Sequence, residues 1–248
     1  MTDQMLPGLQ LRPGQISKRV ITVGDPERAK RISELLENVE EIQRNREYWT
    51  FKGIYKNKEI MVISHGIGAS GAMLAFIGMM KGGAEVVIRV GTCGGLQQDI
   101  KAGSLIIATS AAREDGVTDM YVPKSYPAIA DFTVTQQLLT ESKKSKTNVF
   151  QGVIVTHGAF YGGILPTNTE YQAETGALGL EMELAALYIA ASMFRKKAGS
   201  ILSVDGSALA VLECAEDNDP DPEVLEKTVN ESIQIALDAI VNIEVSNL

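Results

Sequence analysis

The chain has 248 residues, 45% of them hydrophobic, which is enough for one sizeable α/β core. Its formal net charge is −8 and no stripe or run of Lys and Arg occurs, which excludes nucleic acid and anionic membranes as expected partners. An acidic chain repels phosphate at long range, so any phosphate-using site in it would need a local arginine cluster.

In chain order, Arg19–Val23 is a short β-branched run closed by Gly24 and Asp25. Pro26 follows where a helix can begin, so strand, turn and helix are predicted. Further compact apolar runs occupy residues 60–64, 86–90, 105–109, 153–156 and 201–204, several of them followed by glycine-rich turns and helical stretches. Strands apolar on both faces and alternating with helices indicate an α/β fold: an α/β/α sandwich around a mixed, mostly parallel twisted sheet. Residues 182–194 are apolar all round apart from Glu183, which predicts a buried helix. The acidic segment 213–221 reads as a mobile surface loop, either a solvated connector or a substrate lid. Beyond it, Asp221 can cap a last helix with Pro222 in its first turn. Leu225, Val229, Ile233, Ala236, Ile240 and Ile243 form its apolar face.

With no repeat, linker or low-complexity tract, residues 1–248 read as a single domain. Cys93 and Cys214 stand far apart with neither CxxC nor His/Cys spacing, which fits no disulfide framework or structural zinc site and implies a reducing compartment. Residues 1–19 hold no apolar run flanked by basic residues, and no stretch reaches the roughly 18 apolar residues of a membrane span. A soluble, cytoplasmic protein is expected.

Several polar residues stand where strands end. Gly24 and Arg28 place a flexible turn and a guanidinium near a helix N-terminus, a geometry suited to an anion but also that of an ordinary surface arginine. Arg89 interrupts a buried strand just before Gly91-Thr92-Cys93-Gly94-Gly95, where an unpaired charge is costly and where open α/β sheets bind ligands. GxGxxG is not matched, which argues against a dinucleotide. Glu183 can accept hydrogen bonds from two vicinal hydroxyls, or simply favour a helix dipole. Asp205 is either an acid whose pKa burial raises or part of an Asp-Gly turn. His65 and His157 each end a strand beside a glycine; lacking a third ligand at metal spacing, they read as structural or rim residues, and no metal is expected. No GxSxG elbow supports a hydrolase.

Taken together, the segments VGDPERA from Val23, NREY from Asn45, SHGIG from Ser64, RVGTCGG from Arg89, EMELAAL from Glu181 and SVDG from Ser203 resemble the hexameric nucleoside phosphorylases, purine nucleoside and uridine phosphorylases among them. The resemblance spans roughly residues 15–245. It implies phosphorolysis of a purine nucleoside to free base and pentose 1-phosphate, with inorganic phosphate as co-substrate and no cofactor. It implies a phosphate site of Gly24, Arg28, Arg89 and Thr92, completed by Arg46 from a neighbouring subunit of a homohexamer built as a trimer of dimers. Met182 and Glu183 would hold the ribose and Phe160 and Tyr161 shape the pocket. Cys93, Gly94, Leu180 and Glu181 would lie near the base, and Asp205 would protonate purine N7. Arg89→Ala is then expected to raise the phosphate Michaelis constant far more than it disturbs folding.

The alternatives carry marks of their own. Uridine phosphorylases have a glutamine and an arginine after the Phe-Tyr pair, where this chain has Ile164 and Pro166, and they lack the aspartate matched by Asp205. Related nucleosidases lack the arginine set; a non-catalytic nucleoside-binding protein has no need of an intact acid and phosphate site. Two departures from the family stand out: Gly8 replaces a histidine that contacts the ribose 5′ position, and no basic residue lies between Asp205 and Lys227. The second resembles relatives that prefer 6-oxopurines, placing inosine and guanosine before adenosine.

Overall fold

In the computed structural model, which describes residues 4–165, 167–209 and 221–246, Arg19–Val23 forms β1 and is flanked on both sides by parallel strands. On one side lies β4 (Lys58–Ser64) and on the other β5 (Val86–Gly95), which pairs in turn with β10 (Lys197–Ser207), also in parallel. Successive side chains of these strands enter two different cores. Val20, Met61, Ile63 and Val87 pack on one face with α2 (Ala69–Gly82) and α5 (Leu184–Phe194). Ile21, Val23, Val62 and Ile88 pack on the other with α1 (Pro26–Ser33), α3 (Phe132–Ser142) and the terminal helix α6 (Pro222–Val241). Burial on both faces is why the runs show no polar alternation.

The ladders outside this parallel centre are mixed. A hairpin of β2 (Glu37–Asn45) and β3 (Tyr48–Tyr55) continues the sheet antiparallel beyond β4. On the far side β10 runs antiparallel to β6 (Leu105–Glu114), and β6 runs parallel to β8 (Val149–His157). The three-residue β9 (Gly179–Glu181) pairs with β8 and also, through Gly94 and Gly95, with the end of β5. Strands β5, β10, β6, β8 and β9 therefore close a ring inside the sandwich, which leaves no free edge there. That closure is a feature the strand pattern did not predict.

Helix termini follow local chemistry. Asp25 accepts the Glu27 N–H at 2.9 Å, and Asp221 accepts those of Glu223 and Val224 at 3.0 and 3.2 Å, each with proline next in the chain. The predicted buried helix begins at Leu184 rather than residue 182; its residues from Leu184 to Ala191 are all buried. Residues 86–90 are a strand as expected, but the strand continues through the glycines to Gly95, and β10 likewise continues past Val204 to Ser207. Most of the acidic segment 213–221, together with Cys214 and Pro166, lies outside the described residues. Among the described residues no helix is long and apolar enough to cross a membrane.

Candidate active site

A cavity of about 670 Å³ opens where β1, β4, β5, β8 and β10 end or bend, the carboxyl side of the parallel strands. Of the residues singled out from the sequence, Gly24, Arg28, Arg89, Thr92, Cys93, Gly94, Phe160, Leu180, Glu181, Met182, Glu183 and Asp205 line it. Arg46 and Tyr161 do not.

One end of the cavity is built for an anion. The β1–α1 turn brings Gly24 beside the first turn of α1, whose dipole favours an anion, and Arg28 projects from that turn. Burial lowers the pKa of the Arg28 guanidinium; Asp25 opposes this, while the charge of Arg89 lowers it further. A guanidinium whose proton is disfavoured by a second, nearby guanidinium marks a place where an anion would relieve the repulsion.

Arg89 is hydrogen-bonded on two edges and ion-paired on the third. Its Nε donates to Nε2 of His65 at 3.2 Å, its Nη2 bonds Glu183 Oε2, and its Nη1 lies 3.3 Å from Glu181 Oε2. Burial alone would lower its pKa, but the two carboxylates outweigh that and the guanidinium ends above its ordinary value. The glycine two residues on makes this packing feasible, because a Cβ at Gly91 would lie 2.3 Å from Arg89 Nη1. Gly91 serves space rather than a turn: its φ is not positive. Gly91→Ala is expected to cost about 1–3 kcal/mol in denaturant unfolding, since the guanidinium must leave an acceptor to admit the methyl group; unfolding equal to wild type would contradict the cage.

The two glutamates divide the work differently from the sequence expectation. Glu183 occupies the N-cap position of α5 without capping it; its Oε1 accepts the Gly68 N–H at 2.6 Å, at the N-terminus of α2. The cap of α5 is supplied by Glu181, whose carboxylate accepts the N–H groups of Glu183 and Leu184 at 2.8–3.0 Å and the hydroxyl of Thr156 at 2.6 Å. The helix-dipole role considered for Glu183 thus belongs to Glu181, and the Glu183 carboxylate faces the cavity, 5% exposed. Burial raises the Glu181 carboxyl, Arg89 pulls it back and Glu183 raises it again.

Asp205 is not at a strand end and forms no Asp-Gly turn. Val204 pairs with Cys93 and Gly206 with Gly94, so Asp205 is the extra residue of a β-bulge, the device that re-aims a side chain out of a ladder. Here it aims the carboxyl into the cavity. Burial pushes that carboxyl up to about 6, against a hydrogen bond from Thr92 and the charge of Arg28. Burial, reinforced by Asp205 and Glu181, also raises the Cys93 thiol, which is therefore neutral.

Phe160, Leu180, Met182 and Ala208 add apolar side chains to the wall, together with the polar Glu47 and His157. Tyr161 packs edge-to-face on Phe160 at 5.2 Å and lines an adjoining hollow with Ile164. Arg46 is exposed at the tip of the β2–β3 hairpin, in a left-handed conformation with φ 53°, outside its own chain's cavity. Gly8, where a histidine was the alternative, has φ 80° and lies against Leu74 and Tyr48. His157, read from the sequence as a structural or rim residue, does line the cavity; Glu47, Ile67 and Ala208 as lining residues, and Thr156 as the support of Glu181, are not among the residues the sequence singles out. For Ile67 and Glu47 the signal was present, since they lie within the SHGIG and NREY segments; for Ala208 and Thr156 none was.

Residues 18–242 match the family described as the phosphorylase superfamily. The purine nucleoside phosphorylase of Plasmodium falciparum (isolate 3D7) is 35% identical over 239 residues, covering 96% of each chain. The uridine phosphorylase of Treponema pallidum is 34% identical over 207 residues, covering 79% of this chain and 80% of its own. Among solved structures, that of purine nucleoside phosphorylase from Toxoplasma gondii in complex with immucillin-H superposes with a TM-score of 0.90 at 31% identity, covering 98% of both chains.

Proposed function

The chain belongs to the phosphorylase superfamily and within it to the nucleoside phosphorylases, which are pentosyltransferases, and from that premise we propose that it is a purine nucleoside phosphorylase. The observation that carries the choice of purine is Asp205: a half-buried carboxyl poised at about 6, aimed by a bulge into the cavity that Arg28 and Arg89 also line. At pH 7 such a group is protonated in roughly one molecule in ten, enough to supply a general acid. A pyrimidine offers no N7 to protonate.

In this proposal phosphate lies between Arg28, Arg89, Thr92 and the Gly24 turn, and Glu183 with Met182 grips the ribose. A phosphate oxygen forms its bond to C1′ as the C1′–N9 bond breaks and the electron pair passes to the base. The proton of Asp205 goes to N7, so the base leaves neutral. Phosphate charge stabilises the developing oxocarbenium and the closely set arginines keep that phosphate in line. No cofactor takes part. Phe160, Leu180, Cys93 and Gly94 would contact the base, with Tyr161 at the rim and Glu181 supporting the wall.

The exposed place of Arg46 supports a site completed by a second copy of the chain, with the homohexameric arrangement of a trimer of dimers. Ile164, lying in the adjoining hollow, offers a pyrimidine no polar grip. The absence of a basic residue between Asp205 and Lys227 supports 6-oxopurines, inosine and guanosine, over adenosine.

The test is base release from inosine, guanosine, adenosine and uridine, with and without phosphate. Strict phosphate dependence with turnover of inosine or guanosine is the expected result. Preference for uridine would make the protein a pyrimidine enzyme, and equal rates without phosphate would make it a nucleosidase.

A further inference from the structure

His65 is fully buried at the end of β4 and is not part of the cavity wall. Its ring stands behind the phosphate end of the site: it packs edge-on against Phe76 at 5.0 Å, and its Cε1 lies 3.7 Å from where a Cβ would stand on Gly24. Its Nε2 meets Arg89 Nε at 3.2 Å. A guanidinium has no acceptor, so Nε2 must be the acceptor and the ring proton must reside on Nδ1. That Nδ1 is buried with no hydrogen-bond partner among the described residues.

For packing alone an imidazole is a poor choice here. A leucine or phenylalanine would fill the same apolar surroundings without burying an orphan donor, which is a costly arrangement. What histidine adds is a neutral acceptor pointed at the one edge of Arg89 that the carboxylates do not hold. Neutrality matters. Arg89 already faces Glu181 and Glu183, and a third carboxylate would leave the pocket too negative to admit an anion.

We propose that His65 is a positioning residue for phosphate, fixing the Nε edge of Arg89 so that its guanidinium cannot swing wholly toward Glu181 and Glu183. This rests on Arg89 being a phosphate ligand, as proposed above. In support, burial, with the charge of Arg89 behind it, holds the His65 pKa well below the ordinary histidine value, in keeping with the neutral ring that the hydrogen bond from Arg89 requires.

The experiment compares phosphate and inosine Michaelis constants and melting curves of wild type, His65→Leu and His65→Gln. Gln carries an acceptor at about the reach of Nε2. His65→Leu is expected to raise the phosphate constant roughly tenfold or more, the scale of losing a hydrogen bond to a charged group, with the inosine constant within about threefold of wild type. His65→Gln is expected to restore most of the phosphate constant. A folded His65→Leu with wild-type phosphate dependence, or a Gln variant no better than Leu, overturns the proposal. Where His65→Leu does not fold, His65→Asn replaces it: its amide stops short of Arg89 and must behave as the Leu variant is expected to. If wild type itself turns over inosine without phosphate, the phosphorolysis reading falls and takes this one with it, whereas phosphate-dependent wild type with indifferent variants overturns the role of His65 alone.

Discussion

Asp205→Asn is expected to cut purine nucleoside turnover by about 10²-fold or more while making the folded protein harder to unfold. The two effects have one origin. The bulge in β10 forces a carboxyl into a site where ionisation is penalised, lifting its pKa from 3.8 to about 6. Below pH 3.8 the carboxyl is neutral in folded and unfolded chains alike and carries no penalty. As pH rises, the unfolded chain ionises first, and above about 6 the folded chain bears the whole difference, at most about 3 kcal/mol. Asparagine is neutral throughout. The variant should therefore gain stability above pH 6, with the gain vanishing as pH falls toward 4.

Activity should show the complementary slope. Only the protonated carboxyl can donate to N7, so at saturating phosphate kcat/KM for inosine should fall as pH rises through about 6. Urea unfolding across pH checks the first expectation and initial rates the second. Equal stability of wild type and variant at all pH values would mean that the site does not strain Asp205, and near-normal turnover would remove it as the acid.

What the chain discloses without coordinates is whatever depends on neighbours in sequence. β1, Gly24, Asp25 and Pro26 form a strand, a turn and a capped helix because each step is local: a β-branched run, a carboxylate reaching two residues ahead, a proline at N1. The same is true of Asp221 and α6. Arg89, Glu183 and Asp205 were legible as charges within or beside apolar runs, whereas Thr92, Cys93, Gly94, Phe160, Leu180, Glu181 and Met182 came only from the resemblance. What stayed hidden depends on partners far along the chain. β9 has three residues and exists because it pairs with both β8 and β5. The bulge at Asp205 is defined only by register against β5, and the division of labour between Glu181 and Glu183 is set by Thr156 and Gly68. The glycines after Arg89 read as a turn, yet they continue β5 where neighbours approach too closely for a side chain.

That closeness changes what removal of Arg89 should do. The sequence pointed to a variant altered mainly in phosphate dependence; the structure places the guanidinium between two buried carboxylates, so the expected outcome includes a large loss of stability. Arg89→Ala leaves Glu181 and Glu183 buried without their shared counter-charge. Breaking such a pair from one side typically costs about 3–5 kcal/mol. The loss should be greatest at neutral and alkaline pH. Burial and the charge of Glu183 raise the Glu181 pKa, without Arg89 to pull it back, so its ionisation in the folded variant opposes folding, and part of the stability should return as acid protonates it. Arg28 provides the contrast. It is partly exposed, and Arg28→Ala should raise the phosphate constant with little change in melting, because the carboxyls its charge reaches, Asp25 and Asp205, are exposed or half-buried rather than fully buried. Unfolding curves of the two alanine variants at pH 8 and pH 5 decide the matter. If Arg89→Ala unfolds within about 1 kcal/mol of Arg28→Ala at both pH values, the buried carboxylates do not need the guanidinium, and the charge balance described for the site is wrong.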